Sequence, residues 1–95
     1  MYMKDKQKKY LDRVIDLLVR DTTIDFNSRE ISYPFLSRPL SLQLNFVLPS
    51  SYLFSLTLDY FSDYVRDIYG LMEEELDYVW DEYKKIINEK IENER

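Results

Sequence analysis

The carboxylates are the residues of this sequence with the greatest capacity for chemistry, because it contains no histidine and no cysteine. Without those residue types, a Ser-His pair, a thiol nucleophile and a histidine-ligated zinc are excluded. A single glycine also excludes a glycine-rich loop that cradles phosphate groups. Paired carboxylates could still act as acid and base, but a chain of 95 residues offers little material to shape a pocket around them. The sequence therefore predicts a protein that is not an enzyme, holds no cofactor or metal, and acts by binding.

Acidic side chains form two groups in the second half of the chain. Asp59, Asp63 and Asp67 recur at i, i+4 and i+8, where like charges on a helix repel each other mildly. With a second group near residue 75 they make a candidate acidic contact surface of Asp59, Asp63, Asp67, Glu73, Glu74, Asp77 and Asp81. Such residues commonly form only a solvated helix face. The functional interpretation is a docking surface for a basic partner, which could imitate nucleic acid. A divalent cation site is disfavoured, because it needs convergent oxygens and usually a loop that contains glycine.

Residues 39–58 form an uncharged segment. One interpretation is that they supply two central strands of a sheet. Solvated sheet faces usually carry Lys or Glu, which protect against edge-to-edge pairing, so an uncharged face is easier to desolvate. The segment therefore provides a second candidate contact surface, for a partner protein or a second copy, made of Gln43, Asn45, Val47, Ser55 and Thr57. A membrane span is disfavoured, because Pro49 and several polar residues interrupt the segment.

Helices are predicted at both ends of the chain. Residues 4–20 contain neither Gly nor Pro, and their apolar residues recur at helical spacing: Tyr10, Leu11, Val14, Ile15, Leu17 and Leu18. Residues 72–91 carry a second apolar stripe of Met72, Leu76, Val79, Trp80, Tyr83, Ile86, Ile87 and Ile91. We expect Trp80, Tyr78 and Tyr83 to pack in or beside the core rather than to stack on nucleic-acid bases, because their neighbours are acidic. Gly70 stands where a preceding helix must stop, which predicts a left-handed C′ position.

Four runs between these helices alternate apolar and polar residues, as half-buried strands do. They cover residues 24–27, 31–35, 41–48 and 54–59. Pro34 has no N–H to donate, which predicts that its strand lies at a sheet edge or turns that side outward.

The fourth run also fits a helix. Its apolar residues and those that follow have helical spacing: Phe54, Leu58, Phe61, Val65 and Ile68. In that interpretation a helix could begin at Ser51. Ser55 and Thr57 favour a strand instead, with Asp59 as the N-cap of a helix over residues 60–69.

These elements predict an α+β fold in a single domain of residues 1–95. We expect an N-terminal helix, a three- to four-stranded antiparallel meander, and a C-terminal helical pair packed on one sheet face. Residues 1–20 hold six Lys or Arg against three Asp, a net charge of +3. Residues 71–95 hold four against nine Asp or Glu, a net charge of −5. These opposite charges predict that the two terminal helices pack together.

Charge and composition also restrict partners and location. The overall charge of −5 disfavours nucleic acid, since binding phosphates needs a basic patch. The absence of cysteine is typical of a reducing compartment. Residues 1–9 lack the apolar core of a signal peptide.

The last third of the chain resembles a group of phage proteins. The residues that carry the resemblance are Tyr64-Val65-Arg66-Asp67-Ile68-Tyr69-Gly70-Leu71, Glu74, Glu75, Tyr78-Val79-Trp80, Glu82-Tyr83-Lys84, Ile86-Ile87 and Lys90-Ile91, with matches near the front at Leu11-Asp12-Arg13-Val14-Ile15-Asp16, Thr23-Ile24-Asp25-Phe26 and Tyr33-Pro34-Phe35. They are similar to small uncharacterised proteins of marine T4-like phages, of the cyanophage type, in which Thr often stands at the position of Met72. The resemblance extends over roughly half of the chain. It implies a viral source, in the cytoplasm of an infected bacterium or in the virion, and it implies no activity.

Two functional hypotheses follow. The leading one is a non-enzymatic phage accessory protein that binds a host or phage protein. The alternative is a self-assembling structural or virion-associated protein that uses the uncharged sheet face or a sheet edge as its interface. Nucleic-acid binding through the N-terminal lysines is a weaker third idea.

Overall fold

The computed structural model describes residues 5–41 and 51–93, and it describes side chains in those ranges outside residues 51–57. Helix α1 (Asp5–Asp21) is followed by strands β1 (Thr23–Asp25), β2 (Glu30–Ser32) and β3 (Leu40–Ser41). Helices α2 (Ser51–Tyr69) and α3 (Glu73–Asn93) complete the described fold. The predicted α+β architecture is confirmed: an N-terminal helix, a three-stranded antiparallel sheet and two C-terminal helices that pack on it.

Helix α1 buries Leu11, Val14, Ile15 and Leu18, which recur at i, i+3, i+4 and i+7. Its end is closed by Thr22, whose hydroxyl donates to the carbonyl of Leu18 at 2.7 Å. Such bonds satisfy carbonyls that have no partner within the last turn of a helix. The predicted helix over residues 4–20 is therefore confirmed to within one residue at each described end.

The sheet is a meander in the order β1-β2-β3, and both pairs are antiparallel. Ile31 lies at its centre, paired with Ile24 on one side and Leu40 on the other, and it is fully buried. In the turn between β1 and β2, the Asp25 carboxylate accepts the backbone N–H of Asn27 at 2.9 Å. This bond imitates a backbone turn, which is how Asp commonly stabilises short loops.

The second strand is shorter than predicted. It ends at Ser32, and residues 33–36 form a turn closed by the Leu36 N–H and the Tyr33 carbonyl at 3.2 Å. Pro34 occupies the second position of this turn, where its fixed φ is favourable and its missing N–H costs nothing. Tyr33 and Phe35 are still buried, so the alternation identified the inward side chains although the strand stops earlier.

The predicted fourth strand is wrong, because residues 54–59 belong to helix α2. Asp59 therefore lies inside this helix and is not its N-cap. A helix that begins at Ser51, the alternative drawn from the apolar spacing, is what the structure shows. Ser55 and Thr57 cost a helix only a few tenths of a kcal/mol each. The buried stripe that continues through Phe61 and Val65 outweighs that cost.

Gly70 ends α2 as predicted. Its φ is +64°, and its N–H donates to the carbonyl of Arg66 at 3.0 Å, which is the αL type of helix C-cap. Helix α3 begins directly afterwards with Met72 at its N-cap position. The Glu75 carboxylate accepts the Met72 backbone N–H at 2.8 Å, which forms half of a capping box.

An aromatic cluster joins the sheet to both C-terminal helices. Phe61 of α2 lies 4.6 Å from Trp80 and 5.8 Å from Tyr83 of α3, measured between ring centroids. Phe35, just after β2, contacts Phe61 at 5.4 Å and Tyr83 at 6.1 Å. Trp80 and Tyr83 are buried in this cluster, which confirms their predicted place in the core.

Helices α1 and α3 pack against each other, as the opposite charges of the chain ends predict. Gln7 donates to the Glu75 carboxylate at 3.0 Å, and the Tyr78 hydroxyl donates to Asp12 at 2.8 Å. Residue numbers rise together along these contacts, so the two helices run in the same direction. These contacts join neutral donors to carboxylates and are not Lys–carboxylate ion pairs.

Candidate binding surfaces

The seven carboxylates of the predicted acidic surface are all exposed. The structure places Asp59, Asp63 and Asp67 along the outer side of α2, two positions away from the buried Phe61 and Val65. Glu73, Glu74, Asp77 and Asp81 occupy the first turns of α3. We refer to these seven residues as the acidic surface.

Two of these acids have nearby cations on their own helices. Asp63 lies 3.8 Å from Arg66, and Asp81 lies 3.7 Å from Lys84. Exposed pairs at such distances contribute at most about 1 kcal/mol each, so they are easily exchanged for other partners. Within the described ranges, no group of three or more acidic residues converges as a metal site requires.

The second predicted surface is only partly described. Gln43, Asn45 and Val47 lie outside the described residues. Ser55 and Thr57 belong to α2, so they cannot share a sheet face with the other three. A shared sheet face requires a fourth strand over residues 54–59, and a helix takes its place.

A carboxylate groove between α1 and α3 was not predicted. It has a volume of about 120 Å³, and it is lined by Asp12, Ile15, Asp16, Tyr78, Glu82 and Ile86. Glu82 is far in sequence from Asp12 and Asp16, and it lines the same groove because the two helices pack together. The spacing of Asp12 and Asp16 places both on one side of a helix, but no signal in the sequence reveals that Glu82 faces them.

The Asp12–Tyr78 contact sets the electrostatics of this groove. The hydrogen bond from Tyr78, supported by Lys8 at 3.2 Å, lowers the pKa of Asp12 below its ordinary value. The same bond, with partial burial, raises the pKa of Tyr78 to about 12. At neutral pH the groove therefore holds an ionised carboxylate that already has a donor, and it presents negative charge to solvent.

An apolar corner is formed where α2 meets α3. Ile68 is 59% exposed and Met72 is 72% exposed, although both belong to apolar stripes in the sequence. Tyr10 of α1, which is 46% exposed, donates from its hydroxyl to the Tyr69 carbonyl at 2.7 Å and so lies at the same place. We refer to Tyr10, Ile68 and Met72 as the apolar corner.

No family model matches the sequence, and no curated protein or solved structure matches it either. Function must therefore be inferred from the chain's own residues. None of the helices in the described part of the chain has an apolar stretch long enough to cross a bilayer.

Proposed function

We propose that this protein is a non-enzymatic binding protein that docks to a basic surface of another protein through the acidic surface of α2 and α3. The observation that supports it is the exposure of all seven carboxylates on two consecutive helices joined by the turn at residues 70–72. A field of one sign accelerates encounter with an oppositely charged partner and suppresses encounters with acidic ones.

The resemblance to marine phage proteins supports a more specific proposal. In it the protein is a phage accessory factor, and its partner is a host or phage protein met in the cytoplasm of the infected bacterium. The overall charge of −5 supports a protein partner over nucleic acid, whose phosphates it would repel.

A matched pair of charge variants tests the proposed function. The surface variant is Asp59→Asn with Asp67→Asn and Asp77→Asn. The control neutralises three exposed acids elsewhere, at Asp5, Glu30 and Glu89, and so has the same net charge. Each protein is cross-linked in lysate of a bacterial host, and the captured proteins are quantified by mass spectrometry.

We expect a partner that the wild type and the control variant recover equally and that the surface variant loses. Equal recovery by all three proteins would exclude the acidic surface as the contact. A capture no greater than background with the wild type, in lysates of several hosts, would exclude the proposed function itself.

The alternative, self-assembly into a structural or virion-associated protein, has lost part of its basis. Its interface was to be the uncharged sheet face or a sheet edge, and two of the five residues of that face are in a helix, which leaves the sheet edge. Sedimentation of the purified chain distinguishes the alternatives: a monomer is expected for the docking protein, and a closed oligomer or fibre for the structural one.

A further inference from the structure

Met72 is a poor residue for the position it occupies. At the N-cap of α3, a Ser or Thr hydroxyl would accept the Glu75 N–H and complete the capping box that the Glu75 side chain already half forms. The Met side chain offers no such acceptor, and the Glu75 N–H donates to the Met72 backbone carbonyl at 2.9 Å instead. Its side chain is 72% exposed, so it gains little from packing in the isolated chain. The sequence thus places an exposed apolar side chain where the fold alone favours a small polar one.

Two other exposed apolar side chains belong to the same junction of α2 and α3 as Met72. Ile68 precedes it by four residues on the last turn of α2, and Tyr10 reaches the same turn through its bond to the Tyr69 carbonyl. Among the described residues, three of the five large apolar side chains that are exposed lie at this apolar corner. Clustered exposed apolar side chains mark interaction sites, whereas single ones need no explanation.

The surroundings of the apolar corner indicate the chemistry of its occupant. Asp67 directly precedes Ile68, and Glu73 and Glu74 directly follow Met72, and all three acids are exposed. A two-fold contact with a second copy would place this rim against an identical rim. An apolar side chain flanked by Lys or Arg matches both the corner and its rim.

We propose that the apolar corner of Tyr10, Ile68 and Met72, with its rim of Asp67, Glu73 and Glu74, binds the apolar face of a basic amphipathic helix in a partner protein. This inference rests on the proposed function and assigns its partner a chemistry and its contact an anchor. Affinity comes from burying Met72 and Ile68, while the acids orient the helix and reject acidic competitors.

The test uses synthetic peptides as probes. One is an amphipathic helix of leucine and lysine, and the other carries glutamate in place of every lysine. The full chain is titrated with each, affinity is measured by fluorescence anisotropy, and the contact is located by amide chemical-shift changes. The corner variant is Met72→Thr with Ile68→Thr. The control is Tyr60→Thr, which removes an exposed aromatic residue from α2, the helix of Ile68, at a position away from the apolar corner.

We expect the lysine peptide to bind with shift changes centred on residues 67–74, and the glutamate peptide not to bind. The corner variant should lose at least about tenfold in affinity, and the control less than about twofold. Met72→Thr alone should weaken binding while it maintains or raises the melting temperature, which separates lost contact from lost folding.

Three results would overturn the proposal. If the lysine peptide binds equally to wild type and corner variant but is lost on Asp59→Asn with Asp77→Asn, docking on the acidic surface stands and the apolar corner is excluded. If neither peptide binds, the basic helix is the wrong partner chemistry, whatever the cross-linking experiment captures. If the wild type dimerises through residues 67–74, the occupant is a second copy.

Discussion

At the scale of single residues, a part-buried pair of hydroxyls joins the end of α1 to α3. The Thr22 hydroxyl is hydrogen bonded to the Tyr83 hydroxyl, and Tyr83 is fully buried. Thr22→Val keeps the shape and removes the hydroxyl, so it removes both the contact with the Tyr83 hydroxyl and the bond to the Leu18 carbonyl at the end of α1. We expect a loss of about 1–3 kcal/mol in the free energy of unfolding, measured by urea denaturation.

Thr23→Val is the matched control for this prediction, because Thr23 is the neighbouring residue and is exposed. It should change the free energy of unfolding by less than about 0.5 kcal/mol. Equal effects of the two substitutions would show that the Thr22–Tyr83 bond contributes nothing.

Tyrosine ionisation should limit the stability of the fold in alkali. Burial raises the pKa of Tyr33 and of Tyr83 above the ordinary value, and the bond to Asp12 raises the pKa of Tyr78 to about 12. The unfolded chain releases these protons near pH 10, while the folded chain retains them. The stabilisation is therefore complete below pH 10 and is lost as the pH rises above it.

We expect the melting temperature to fall steeply above pH 10, with tyrosinate absorbance that rises together with the loss of far-ultraviolet circular dichroism. Complete tyrosine titration with an unchanged melting temperature would contradict the assigned burial of Tyr33 and Tyr83.

At the scale of elements, the start of α3 offers a stabilising substitution. Met72→Thr adds a side-chain acceptor at the N-cap, where the Glu75 N–H now donates to the Met72 backbone carbonyl at 2.9 Å, and it completes the capping box. We expect the free energy of unfolding to rise by about 0.5–2 kcal/mol, measured by urea denaturation. Met72→Ala, which removes the exposed side chain without adding an acceptor, should bring no such gain. A Thr variant no more stable than the Ala variant would mean that the cap is already satisfied.

The elements differ in how far the sequence determines them. The helices α1 and α3 were predictable because their long apolar stripes fit the spacing of a helix and not the alternation of a strand. The role of Gly70 was predictable because few other residues adopt its φ of +64°. Whether the segment after Ser51 is a helix or a strand was not predictable, since its apolar spacing fits both the helical and the strand period. There the choice depends on the burial of Phe61 and Val65 and on the contacts of Phe61 with α3, which is tertiary information.

At the scale of the whole molecule, Phe61 is central to the core. It is fully buried and contacts Phe35 from the sheet side and Trp80 and Tyr83 of α3. Phe61→Ala should lower the free energy of unfolding by about 3–5 kcal/mol, because the cavity opens among aromatic side chains of α3 and of the turn after β2. Urea denaturation of the variant measures this loss.

The neighbouring substitution Tyr60→Ala provides the control, since Tyr60 is exposed. It should cost less than about 1 kcal/mol. A similar cost for the two variants would indicate that α2 is packed in a different rotation from the one described.

The candidate surfaces also differ in whether local sequence or tertiary packing determines them. Exposure of the acidic surface was predictable, because charged residues at helical spacing opposite an apolar stripe face solvent. The carboxylate groove and the apolar corner were not. Glu82 lines the same groove as Asp12 and Asp16 because α1 packs on α3. Ile68 and Met72 lie on either side of the turn at Gly70, and their exposure depends on how that turn places α2 and α3.

Docking through the acidic surface is tested most directly by locating where a captured partner touches the molecule. Isotope-labelled protein is titrated with that partner, and amide chemical-shift changes are mapped on the described residues. Docking through the acidic surface predicts the largest changes in residues 59–81, with affinity that weakens as salt is raised. Largest changes in β1 and β2, or an affinity indifferent to salt, would contradict it.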